Sequence, residues 1–296
     1  MMKALKRYFA PTLAACCALF LLAGCGDPKP AGDSATATDK GTIRLAYVNW
    51  SEGVAVTYLL DALLTDMGYT VKTTMADAAP IYTSVAEGQQ DVMVETWLPT
   101  THKSYYEQFG SRVELISTWF EDAKIGLVVP KYVEIDSIEQ LNDVKAAFKG
   151  KLTGIDAGAG VMSCTDDAIE QYGLDYTLIT SSGPAMTAAL KGAIDKNEAI
   201  AVTGWAPHWK FARYELKFLD DPKGVYGGAE KIQSAARKGF SEDFPEVAAF
   251  FGRMKFNGTE IGSLMDKLET STQGDEKAIR EWISENQALV DSWMAK

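Results

Sequence analysis

Three tryptophans stand where a strand-like run gives way to a loop: Trp50 after Leu45-Ala46-Tyr47-Val48-Asn49, Trp97 after Val94-Glu95-Thr96, and Trp205 after Val202-Thr203-Gly204. In an α/β chain, ligands bind at strand ends. An indole placed there turns the negative face of its ring toward a cleft. Several converging indoles would cage a cation that has no N–H to donate, such as a quaternary ammonium group. Taken singly, each Trp reads more readily as a core residue. The turn Gly158-Ala159-Gly160-Val161 precedes a helix expected to begin near Ser163. Small residues there let the backbone approach a ligand, and free amides at a helix start favour an anion. The same pattern serves equally well as a plain strand-to-helix turn, and the residues alone leave both readings open.

Other chemistry is thinly represented. The chain has two histidines, His102 and His208, with no companion ligands at metal spacing, so no metal centre is expected. No Gly-x-Ser-x-Gly elbow appears, and neither histidine has a recognisable nucleophile beside it. A Gly-Lys-Ser/Thr phosphate loop is also missing. The expectation is a non-enzyme without a cofactor. Glu52 reads as an ordinary first-turn acid of a helix, although a carboxylate there would suit a purely cationic ligand such as choline. Trp209 follows Trp205 by one helical turn and could buttress it or replace it as a wall.

The elements that must position these residues alternate from residue 42 on. Strands are expected over Thr42–Asn49, Tyr69–Thr74, Asp91–Glu95 and Lys124–Val129, with helices over Val54–Met67 and Ala79–Ala86. The pattern then restarts, with strands Leu152–Asp156, Asp175–Ile179 and Ala199–Thr203 around helices Cys164–Tyr172 and Gly183–Lys196. Two βαβ series imply two α/β lobes. The remaining tail reads as helical around Glu230–Lys238, Phe244–Phe251, Ile261–Leu268 and Glu276–Met294. Trp282 and Trp293 lie on its amphipathic repeats and are expected to pack onto a lobe, and Trp119 to pack near the crossover.

The amino terminus reads as an export signal. Lys3, Lys6 and Arg7 precede an apolar run from Leu13 to Gly24, too short to span a bilayer. Leu22-Ala23-Gly24-Cys25 resembles a bacterial lipobox, which makes Cys25 the expected lipidated first residue of the mature chain. The polar, Pro-containing stretch to Gly41 reads as a flexible tether. Cys164 is then the one cysteine left outside the leader and the anchor, so no intramolecular disulfide is expected. The net charge of −11 argues against nucleic acid and anionic lipid as partners and suits a small cation or zwitterion.

Asn49-Trp50-Ser51-Glu52, Trp97-Leu98-Pro99-Thr100-Thr101-His102, Gly154-Ile155-Asp156-Ala157-Gly158-Ala159-Gly160-Val161-Met162, Gly204-Trp205-Ala206-Pro207-His208-Trp209 and Asp220-Asp221-Pro222-Lys223-Gly224-Val225 together resemble the motifs of glycine betaine substrate-binding proteins of ABC importers. The resemblance runs over essentially all of Thr42 to Lys296. It implies a two-lobed periplasmic-binding-protein fold, type II-like, with the ligand cleft between the lobes. Residues 1–24 would be the signal peptide, 25–41 the lipidated tether, 42–129 plus 226–296 the first lobe, and 130–225 the second. It further implies that Trp50, Trp97 and Trp205 are the walls of the onium cage. The amides of Gly160 and Val161, with the His102 side chain, would hold a carboxylate. His208, Trp209, Glu52 and Gly158 are secondary candidates. The implied protein is an exported, lipid-anchored monomer on the outer side of the cytoplasmic membrane. It would pass glycine betaine to a permease with its ATPase for osmoprotectant uptake, with choline or carnitine as alternative ligands.

Overall fold

In the computed structural model, residues 40–295 are described; the expected signal peptide, the Cys25 lipidation site and most of the tether lie outside them. The strands are β1 Thr42–Tyr47, β2 Thr70–Met75, β3 Val92–Leu98, β4 Val113–Pro130, β5 Lys151–Thr153, β6 Thr177–Ile179, β7 Val202–Ala206, β8 Leu216–Phe218 and β9 Glu230–Arg237. The first helices are α1 Ser51–Asp66, α2 Ala78–Ala86, α3 Lys103–Phe109, α4 Gly160–Tyr172, α5 Gly183–Asp195 and α6 Lys210–Arg213. The tail carries α7 Phe240–Asp243, α8 Pro245–Arg253, α9 Gly258–Thr270, α10 Asp275–Glu285 and α11 Gln287–Met294. Gly68 after α1 and Gly88 after α2 have φ of +94° and +73°. That left-handed conformation stops a helix at little cost when no Cβ is present.

The strands run in the order β2-β1-β3-β9-β4-β7-β5-β6, with β8 also paired to β4. β1 pairs in parallel with β2 and β3, as βαβ crossovers require. β5 likewise pairs in parallel with β6 and β7. These are the two expected α/β series. They are joined by β4, which is antiparallel to β9 through Ala123 and antiparallel to β7 from Lys124 onward. One long strand therefore serves both lobes.

Two expectations fail here. Residues 230–238 are not helical: Glu230–Arg237 is β9, the strand between β3 and β4. Its Glu, Lys, Gln, Ala and Arg favour a helix intrinsically, but Glu230, Ile232, Ser234 and Ala236 are buried on alternate positions, and pairing on both edges overrides that propensity. The first half of β4, Val113–Ala123, is strand where only Lys124–Val129 is expected, and polar Glu114, Ser117 and Thr118 interrupt its apolar run. Smaller shifts matter for the site. α4 begins at Gly160 and not near Ser163, and β7 extends to Ala206, so Trp205 lies inside a strand.

Asp91 ties the first lobe together. Its carboxylate accepts from the Arg44 backbone and guanidinium on β1, at 2.7 to 2.9 Å, and from Arg237 Nε at the end of β9, at 2.8 Å. Burial opposes the charge, yet the two arginines hold the carboxyl below its ordinary range. Trp119, Trp282 and Trp293 are fully buried packing residues, and the Trp119 indole donates to the Val94 carbonyl at 2.7 Å.

Candidate functional site

The two lobes meet along a cleft where strand ends and helix starts converge. Trp50 is the N-cap of α1, Trp97 lies near the end of β3, and Trp205 near the end of β7. All three are buried. They line one cavity together with Glu52, Thr101, His102, Ile125, Ile155, Ala159, Gly160 and Val161. All six principal sequence-predicted residues and Glu52 are thus brought together. Three other candidates are not. His208 and Trp209 line a broader neighbouring cleft, and Gly158 is engaged through its carbonyl by the Tyr105 hydroxyl at 2.8 Å. Trp205 borders both spaces. Among the described residues no cluster of His, Cys, Asp or Glu could hold a metal ion.

Hydrogen bonds cross the cleft in both directions. Trp50 Nε1 donates to Asp156 Oδ1 in the second lobe at 3.0 Å. Trp205 Nε1 donates back to Glu52 Oε2 in the first lobe at 2.7 Å. Each N–H is thus engaged at the ring edge, so neither points into the cavity that both indoles line. The gap itself is set by glycine: a Cβ at Gly160 would lie 1.9 Å from the Thr101 carbonyl oxygen, so any side chain there would push the lobes apart.

His102 caps the start of α3, and its tautomer follows from its partners. Nδ1 accepts the Trp97 backbone N–H at 3.1 Å, with the Tyr82 hydroxyl also 3.1 Å away. Burial pulls the imidazole down to about 3, so it is neutral at physiological pH. A neutral ring that accepts at Nδ1 carries its proton on Nε2. That Nε2–H is buried and has no partner in the protein. A buried donor without an acceptor costs about 1–3 kcal/mol, a cost that any acceptor entering the cavity would recover. The Gly160 and Val161 amides open α4, where the first N–H groups have no acceptor within the helix. A helix start of this kind favours negative charge.

The turn carrying His102 is held by a residue that the sequence reading missed. Glu230, the first residue of β9 and fully buried, accepts from Thr101 Oγ1 at 2.6 Å and from the amides of Thr100 and Thr101 at 3.1 to 3.3 Å. The mistaken helix at 230–238 hid it. Asp156, the Trp50 acceptor, was also missed, as were Glu95 and Lys210 of a buried polar cluster behind the indoles. Glu95 accepts from the Val48 amide at 3.0 Å. Burial and the neighbouring Glu52 raise the Glu95 carboxyl well above its ordinary value. Lys210 is completely buried, and its Nζ lies 4.2 Å from the centroid of the Trp205 ring without a hydrogen-bond acceptor. His208 Nδ1 accepts the Lys210 amide at 3.1 Å and so fixes that turn. Buried charge is a tertiary property, and nothing in the local sequence around Glu95 or Lys210 announces it.

The family model for the substrate-binding domain of ABC-type glycine betaine transport systems matches residues 41–285. The glycine betaine/carnitine transport binding protein GbuC of Listeria monocytogenes is 44% identical over 146 residues, a match covering 48% of either chain. The chain thus spans about half the length of that relative in the match. Lactococcal OpuAC, in a closed-liganded crystal structure with glycine betaine, is 37% identical with a TM-score of 0.81, covering 86% of this chain and 99% of that one. The glycine betaine/L-proline-binding protein ProX of Borrelia burgdorferi is 35% identical with a TM-score of 0.81, covering 85% of this chain and 96% of that one. The fold is thereby that of two-lobed substrate-binding proteins, and the family is one of transport proteins and not of enzymes. The chain belongs to the family of substrate-binding domains of ABC-type glycine betaine transport systems.

Proposed function

We propose that the protein captures glycine betaine in a cage of Trp50, Trp97 and Trp205 and holds its carboxylate on His102 Nε2–H and the amides of Gly160 and Val161. The observation that carries this reading is the orphaned Nε2–H of His102 in the same cavity as three buried indoles. A trimethylammonium head has no hydrogen to donate, so aromatic faces are its natural partners, at about 2 kcal/mol each when desolvated. A carboxylate needs donors, and His102 with the α4 start supplies them from opposite lobes, so capture and closure are one event. The chain delivers its ligand to a permease and ATPase supplied by other chains. It does so as a monomer tethered through lipidated Cys25 outside the cytoplasmic membrane. The lobes divide as 42–129 plus 226–296 and 130–225, a division supported by the change of partner along β4.

A choline-binding reading has one observation in its favour, the Glu52 carboxylate at the cavity wall. Calorimetric titration with glycine betaine and choline separates the two. Trp97→Ala is expected to weaken betaine binding at least about thirtyfold, and His102→Ala about ten- to a hundredfold. Choline binding that exceeds betaine binding and ignores His102→Ala would make the protein a choline carrier. No heat with either ligand, in a folded sample, overturns both readings.

A further inference from the structure

Trp205 is held on two sides by ionisable groups, and only one of them touches the cavity. Glu52 accepts the indole N–H at 2.7 Å and lines the cavity wall. Lys210 Nζ stands 4.2 Å from the ring centroid and 5.3 Å from that of Phe211, is fully buried, and lies outside the set of cavity-lining residues. No carboxylate reaches this ammonium within hydrogen-bond distance. Glu95 sits beside Glu52, packed so closely on α1 that a Cβ at Gly53 would lie 1.7 Å from its Oε1.

We propose that Lys210 sets the proton balance of the cage: Lys210 and Glu52 share one proton across Trp205, and an onium ligand entering the cage replaces it as the counter-charge of Glu52 and expels it to solvent. This rests on the onium-binding reading given above and adds a linkage to it. The physical reason is the fixed charge of a quaternary ammonium. It cannot be neutralised, so a second cation against the same indole is disfavoured, while the carboxylate beside it is favoured ionised.

The groups around Lys210 agree with such an exchange near neutrality. Burial pulls its ammonium down to about 7, with Glu52 opposing the fall. Burial raises Glu52, and burial with the Glu52 charge raises Glu95, while Asp156 adds to the negative field at Glu95. His208, on the same turn as Lys210, is kept neutral by burial and by the ammonium itself, and His102 is neutral above pH 5. The cluster of Glu52 and Lys210 is therefore what changes protonation beside the cavity near pH 7. A bound cation favours the deprotonated cluster, so binding releases protons and affinity rises with pH.

The test is calorimetry of the purified protein with glycine betaine at pH 7, in phosphate, Hepes and Tris, whose ionisation enthalpies differ. The heat is expected to vary with buffer in proportion to roughly half to one proton released per ligand, and Kd to fall about three- to tenfold from pH 6 to pH 8. Lys210→Arg keeps its cation at every pH, so at least half of the release should vanish and binding at pH 8 should weaken toward the pH 6 value. Lys210→Met removes the counter-charge of Glu52, so release should persist with its window moved to higher pH. Far-UV circular dichroism checks that each variant is folded, and the wild-type buffer series decides the matter without them. Tight betaine binding with buffer-independent heat overturns the proton linkage and leaves the betaine reading standing. An unchanged window in Lys210→Met removes Lys210 from the linkage. Absence of any onium binding instead overturns the reading on which the linkage rests.

Discussion

At the scale of single residues, His102 is a buried, neutral side chain left with one unpartnered proton. The Trp97 amide and the Tyr82 hydroxyl meet its Nδ1, burial keeps it neutral, and the remaining proton is left on Nε2 without a partner. The folded ring resists protonation down to about 3, whereas in the unfolded chain it takes a proton near pH 6.5. The sign follows: below about 6.5 the unfolded state binds a proton that the folded state refuses, so the contribution of His102 to stability falls with falling pH. The stability advantage of the wild type over His102→Gln, measured by urea unfolding without ligand, should shrink by up to about 1.4 kcal/mol per pH unit between pH 6 and pH 4. A difference that does not change with pH would mean that the ring is protonated in the folded protein. Comparison with the variant is needed because raised Glu52 and Glu95 act in the opposite sense in the same range.

Between elements, the decisive contact is backbone against backbone. The start of α4 meets the turn before α3 with no room for a methyl group, because a Cβ at Gly160 would come within 1.9 Å of the Thr101 oxygen. That turn cannot easily retreat, since buried Glu230 holds the amides of Thr100 and Thr101 from β9. Gly160→Ala should therefore leave each lobe intact and deny the lobes their closed contact. We expect glycine betaine affinity to fall at least about a hundredfold, some 2.7 kcal/mol, with the thermal midpoint of the unliganded protein within a few degrees of wild type. A large loss of thermal stability with normal affinity would sink this account of Gly160. The strand β9 does similar work from its other end, where Arg237 reaches Asp91.

For the whole molecule, two of the links across the cleft come from indoles that line the cavity. Trp50 donates to Asp156 and Trp205 to Glu52, in opposite directions between the lobes. The first is part-buried and the second buried, and a hydrogen bond of either kind contributes about 1 kcal/mol, so the two together hold the lobes only weakly without ligand. Small-angle scattering should show a smaller radius of gyration with saturating glycine betaine than without, and no such contraction in Gly160→Ala. Identical wild-type profiles with and without ligand would place the protein in one state and remove closure from the mechanism.

Much of this was legible in the residues because it is local. Alternating apolar strands and capped helices announce two α/β series, and a Trp at a strand end or a Gly pair before a helix is visible in a few residues. The type II-like fold and the family followed from motifs that lie within such short stretches. What the chain concealed was long-range. Glu230–Arg237 has the intrinsic preference of a helix and became a strand only because β3 and β4 offer it both edges. Glu95, Lys210 and Glu230 look like ordinary surface charges in sequence, and only packing makes them buried. Tertiary structure also separated His208 and Trp209 from the cavity that holds Trp205, although they are its near neighbours in the chain. Propensity and periodicity act over a few residues, so the residues alone announced the strand-end tryptophans, the glycine turn and most of the strands and helices that present them. Which of those side chains share a cavity, which charges lose their water and which proton His102 keeps depend on groups brought together from distant parts of the chain.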